Sequence, residues 1–191
     1  MIILRTSIIC FLGIFSLAFS VLYGEVDSSP VQMPREYVSV RDFSGTADER
    51  INAAITEAMR TRHKTVLLPN GTYPLRDTIL LNRGKNSEVH LVGESRKGVV
   101  LIPDIAYLEA NYKGGNGAKL AHMINLTEAS VFDSLNVSIQ NLTVDMKAQF
   151  LSRERTTYTV VGHGIRVGQG WRSGQFKVNQ VTIRNTPGYG I

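Results

Sequence analysis

Residues 135–145 (LNVSIQNLTVD) superpose on residues 174–184 (GQFKVNQVTIR) at an offset of 39. Val137 falls on Phe176, Ile139 on Val178, Leu142 on Val181 and Val144 on Ile183. The polar positions between them also match, with Ser138 on Lys177, Thr143 on Thr182 and Asp145 on Arg184. A second echo, Gly164-Ile165 and Gly190-Ile191, recurs at an offset of 26. Repeats of this length, with apolar and polar residues alternating inside each, signal stacked turns of a solenoid. Such turns cover one another's apolar sides, so each aligned position becomes a column along the stack. The longer offset is one turn plus an excursion of about 13 residues, and 146–161 is where the extra length fits.

Between residues 65 and 102 short apolar runs recur with turn residues on both sides: Val66–Leu68, Thr78–Leu81, Val89–Val92 and Gly98–Ile102. Each is too short for a helix and reads as a strand. Tyr37–Phe43 alternates and also reads as a strand. The exception to the β pattern is 46–62. Thr46-Ala47-Asp48-Glu49 has the spacing of a capping box, and Ile51, Ala54, Ile55, Ala58 and Met59 line one helix face. Arg60, Arg62, His63 and Lys64 suit its negative end. No second amphipathic helix is read. The fold class expected is all-β, a right-handed parallel β-helix, with helix Thr46–Arg62 capping the N-terminal end where core and strand edges would otherwise be open.

The first 24 residues, one Arg followed by an apolar run from Ile8 to Tyr23 and small residues at Ala18, Ser20 and Gly24, have the layout of a secretory signal peptide. Residues 25–36 read as a linker and 37–191 as the β-helix domain. The chain ends as a new turn begins, so the domain is expected to be incomplete at its C-terminus. The one cysteine, Cys10, lies inside the apolar run, which leaves no disulfide framework and no Cys-based zinc site. The formal net charge of +5 favours an anionic partner. An exported chain meets few nucleic acids, and no membrane once the leader is cleaved. The expected location is therefore secreted, periplasmic or extracellular, and the expected partner an acidic polysaccharide.

Val38–Phe43, the helix with Ile51-Asn52-Ala53-Ala54-Ile55, then Val66-Leu67-Leu68-Pro69-Asn70-Gly71-Thr72-Tyr73 and Val89-His90-Leu91-Val92-Gly93-Glu94 together resemble the N-terminal signature of the pectate-lyase-like, right-handed parallel β-helix proteins. The branch resembled contains rhamnogalacturonase, exo-polygalacturonase and epimerase-like domains. The resemblance covers about a third of the chain. It implies a lyase, hydrolase or epimerase acting on uronate-containing glycans, with Ca2+ as a cofactor that lyases on this fold use alongside an Arg or Lys base. Members are usually about twice as long, which adds to the expectation of a fragment.

His163 stands in Gly162-His163-Gly164, a tripeptide that polygalacturonases use with further acidic and basic runs; none of those runs is present here. Asp145 and Arg184 share a column, so adjacent turns would bring their backbones about 4.8 Å apart. These three, Asp145, His163 and Arg184, are the candidate catalytic residues. Arg166, Arg172 and Lys177 extend a basic strip, and Arg153, Arg155 and Tyr158 lie in the excursion 146–161. Cations meet carboxylates and an aromatic ring stacks on a sugar face, so these six are the candidate substrate-binding residues. The residues suggest no metal site. A non-catalytic carbohydrate-binding or adhesion module is the rival reading, with an inactive fragment as a third.

Overall fold

The computed structural model describes residues 36–81, 87–111, 122–126, 135–147, 163–167, 174–186 and 191. The expected export segment and nearly all of the linker lie outside the described residues, as do Arg153, Arg155, Tyr158 and Arg172. The described residues belong to one unit, Val31–Ile191.

In chain order the elements are β1 (Val38–Ser39), a 3-10 turn (Val40–Asp42), α1 (Ala47–Arg60), β2 (Thr65–Leu68), β3 (Gly71–Leu75), β4 (Ile79–Leu80), β5 (Ser87–Gly93), β6 (Val99–Pro103), α2 (Ile105–Asn111), β7 (His122–Asn125), β8 (Leu135–Asp145), β9 (His163–Arg166) and β10 (Gly174–Arg184). The strand pairings described are all parallel. One sheet runs β1-β2-β5-β8-β6-β3, with β10 also on β8, and a second runs β4-β7-β9.

The larger sheet curls because β8 bends. Its first half, Leu135–Gln140, lies along Ser87–Val92 of β5, and Thr143–Val144 lie along Val100–Leu101 of β6. The bend is Asn141, at φ 58°, and β10 bends at the matching position, Gln180, at φ 51°. Positive φ suits Asn among non-glycine residues, because its short amide finds local partners. The amide Nδ2 of Asn141 donates to the carbonyls of Gly93 and Glu94.

The repeat read from the sequence is the observed register: Phe176 pairs with Val137, Lys177 with Ser138, Val178 with Ile139 and Arg184 with Asp145. Inward positions are fully buried over three turns, as with Val66, Leu91 and Ile139, and become partly exposed on β10, where Val178 continues the column. Parallel strands and this stacked core make the fold an all-β, β-helix-like architecture.

Helix α1 forms as its pattern predicts. Ile51, Ala54, Ile55 and Ala58 are buried, and the Glu49 carboxylate accepts from the Thr46 backbone N–H at 2.8 Å. The helix touches β1 and the three successive runs β2, β3 and β4, and reaches β5, which stacks on β2, so it packs against the beginning of the strand stack. Asn52 ties it down: Nδ2 donates to the Thr78 carbonyl, and Oδ1 accepts from the Leu80 N–H.

Three expectations need correction. The strand expected over Tyr37–Phe43 is only Val38–Ser39, because Ser39 Oγ accepts the Arg41 N–H and turns the chain into the 3-10 helix. A second helix exists: α2 is too short to carry a periodic signal, and Asp104 starts it by accepting the Tyr107 N–H. Strands β3 and β7 also went unread, β3 because its Pro74 looks like a breaker. Pro74 is tolerated because β3 lies at the edge of its sheet. Among the described residues no helix is long and apolar enough to cross a membrane.

Candidate functional site

The candidate residues that the structure describes fall in separate places. His163 and Arg166 are at the two ends of β9, in the three-stranded sheet. Lys177 lies in the first half of β10, and Asp145 and Arg184 close β8 and β10, in the larger sheet.

The β9 residues form a cluster through a partner that sequence reasoning missed. His122 opens β7 and pairs in register with His163. Their Nδ1 atoms are 3.2 Å apart, and Arg166 Nη1 lies 2.9 Å from His122 Nε2. The ring centroids are 5.0 Å apart and tilted at 50°. His122 is buried, and its pKa is lowered to about 4, first by burial and then by the Arg166 charge and His163. Thr78 Oγ1 donates to the His122 carbonyl, so Asn52 of the helix, through β4, helps to seat this histidine. A His separated from its partners by 41 and 44 residues carries no local signal; the register of β7 on β9 alone reveals it.

The stretches 112–121 and 148–162 enter β7 and β9 at His122 and His163 respectively. The second contains Arg153, Arg155 and Tyr158. The two histidines are thus the first residues of their strands.

Asp145 has a different character. Its carboxylate is 1% exposed. It accepts from Arg184 Nε at 2.9 Å, Asn185 Nδ2 at 2.8 Å and the Lys147 N–H at 3.2 Å, and Lys147 Nζ lies at 3.4 Å. Burial alone would raise its pKa, but hydrogen bonds from Asn185 and Lys147 and the charges of Lys147 and Arg184 outweigh it, so the pKa is lowered. A carboxylate held this way keeps its charge and binds a proton poorly.

Lys177 extends a third column, Thr65–His90–Ser138–Lys177, on the outer face of the β2-β5-β8-β10 strands. His90 Nδ1 is 3.0 Å from Ser138 Oγ, which also accepts from Gln140 Nε2 at 3.0 Å. Burial lowers the His90 pKa, and Glu88 and Lys177 act on it in opposite senses. Lys177 itself is exposed.

Among the described residues no group of three or more His, Cys, Asp or Glu side chains could hold a metal ion. Calcium takes six to eight oxygen ligands. Asp145, the buried carboxylate among the candidates, already has its oxygens taken up by Arg184, Asn185 and Lys147, so it is not a free calcium ligand.

The stacked parallel strands, the capping helix and the corner residues Asn70, Gly93 and Glu94 define a pectate-lyase-like protein. Residues 37–190 match the family described as Rhamnogalacturonase A/epimerase, pectate lyase-like, and the chain belongs to it. No curated protein and no solved structure is significantly similar to the chain.

The signature residues that carry this likeness are mostly architectural. Glu94 Oε2 accepts the Asn70 N–H at 2.7 Å, Ser95 Oγ donates to Asn70 Oδ1, and the Tyr73 hydroxyl donates to the Pro69 carbonyl. The Glu94 and Ser95 bonds fasten a corner between neighbouring turns, and the Tyr73 bond fastens one within a turn.

Proposed function

We propose that the chain is an exported polysaccharide-active protein that binds an acidic, uronate-containing glycan on the β4-β7-β9 face. The finer architecture belongs to the same proposal: the strands wind as a closed, right-handed parallel β-helix. Parallel strands joined by crossovers within a sheet are right-handed in about 98% of cases, which supports that hand.

The observation that carries the functional reading is the placement of Arg166 and His163 on one short strand, where both meet His122. Arg166 is exposed, and a guanidinium matches a carboxylate in shape and charge. Lys177 adds a cation on the neighbouring sheet. His163 would hydrogen-bond a sugar oxygen. Family membership supports a lyase, hydrolase or epimerase activity.

The rival reading, a binding or adhesion module, has one observation in its favour. Asp145, the carboxylate among the candidate residues, is buried and saturated with donors, so it is a poor acid or base.

Titration with polygalacturonate, alginate and a neutral glucan at low and high salt tests the binding. The two acidic polymers should bind and the glucan should not, and binding should weaken as salt screens the exposed cations. Arg166→Ala should weaken binding about 10-fold, as expected for loss of a charged hydrogen bond. Equal binding of all three polymers would overturn the acidic-glycan reading. Depolymerisation or epimerisation of the bound polymer would select the enzyme over the module.

A further inference from the structure

The hydrogen-bonding capacities of Arg166, His122 and His163 allow one arrangement of protons. A guanidinium donates and never accepts. His122 Nε2, 2.9 Å from Arg166 Nη1, must therefore be the acceptor and carry no proton. A neutral imidazole holds its one proton on the other nitrogen, so His122 is protonated on Nδ1. That nitrogen faces His163 Nδ1 at 3.2 Å. His163 Nδ1 is then the acceptor, and the proton of neutral His163 is on Nε2. The reverse direction would leave His122 with no proton at all.

We infer that Arg166 and His122 are positioning residues that set the tautomer of His163, holding its proton on Nε2. The inference rests on the site proposed above and adds a role for His122 within it. The same arrangement leaves neither facing Nδ1 atom available to a cation, since one carries a proton and the other accepts it. The low His122 pKa agrees with a ring kept neutral. Orientation of one histidine by hydrogen bonding through its second nitrogen is a general device, and a cationic donor enforces it more strongly than a neutral one.

The experiment is long-range proton–nitrogen NMR of the 15N-histidine-labelled chain at neutral pH. Histidine signals are assigned by elimination through His63→Gln and His90→Gln, two residues outside the cluster, and through His122→Gln, whose missing signal separates His122 from His163. In the unmodified chain His122 should give the Nδ1-protonated pattern and His163 the Nε2-protonated one. Arg166→Leu removes the donor, and His122 should revert to the mixed or Nε2-protonated form that free histidine prefers, with a matching change at His163. Arg166→Lys keeps a donor and should restore the original pattern. An Nε2-protonated His122 in the unmodified chain overturns the inference, as does an unchanged His163 signal in a folded Arg166→Leu variant. If that variant does not fold, the tautomers of the unmodified chain decide alone. Glycan binding is measured separately. Its absence with these tautomers removes the proposed site and leaves the relay, and reversed tautomers with intact binding remove the relay only.

Discussion

Asn141 Nδ2 donates to the Gly93 carbonyl at 2.9 Å, and the two residues occupy the same corner on neighbouring strands. A Cβ on Gly93 would lie 2.2 Å from the Asn141 carbonyl oxygen. The glycine of the Leu91-Val92-Gly93-Glu94 signature is therefore required by the approach of the next turn. Gly93→Ala should force the corner apart and destabilise the fold by about 1–3 kcal/mol, the range for overpacking. Chemical denaturation measures this, and an unchanged midpoint would remove the steric account.

Acid should destabilise the protein through His122. Its folded pKa of about 4 lies below the ordinary 6.5, so below pH 6.5 the unfolded chain takes up the proton first. The native state at neutral pH gains nothing from this group. The penalty grows as pH falls from 6.5 to 4 and levels off below that. Its ceiling is about 3 kcal/mol. In His122→Gln this part of the pH dependence should vanish. A variant that keeps the same slope between pH 6.5 and 4 would place the effect elsewhere.

Asp145 and Arg184 should contribute unequally to stability although they form one ion pair. The Arg184 side chain is 55% exposed, and solvent can replace its partner, so Arg184→Ala should cost under about 1 kcal/mol. Asp145→Ala removes the acceptor shared by Asn185, Lys147 and Arg184 and leaves a buried gap, so it should cost about 1–3 kcal/mol. Equal losses in paired melting experiments would show that the pair acts as a simple surface contact.

Self-association should occur through β10. Among the described residues this strand pairs with β8 only, and its other edge is the surface proposed for pairing. The alternation of apolar residues along β10 would leave Val181 and Ile183 exposed if nothing lay beneath them. They are instead partly buried against the core, because their register partners Leu142 and Val144 lie beneath them. The exposed apolar residue is Val178, at 37%. Val178→Lys should raise the monomer fraction, since a charge at an open edge opposes pairing. Light scattering across a concentration series decides this, and a concentration-independent monomer in the unmodified chain would count against it.

The periodic parts of this protein are legible in its residues. The register of β8 on β10 follows from eleven aligned positions, because an in-register parallel stack repeats the same inward and outward choice at each column. Helix α1 follows from its apolar face and from Glu49 three residues after Thr46. Both are local or strictly repeated patterns, and a one-residue slip would expose an entire apolar set. The tertiary structure alone decided the rest. Turn lengths vary between Val66–Leu91, His122–His163 and Asp145–Arg184, so no single offset aligns β7 with β9, and His122 stayed invisible. Asp145 sits in an alternating strand at a position that reads as outward, yet Arg184, Asn185 and Lys147 enclose it. Charge and spacing mark a residue as polar; whether it faces water or three donors depends on where the next turn is laid, and that is a property of the packed stack.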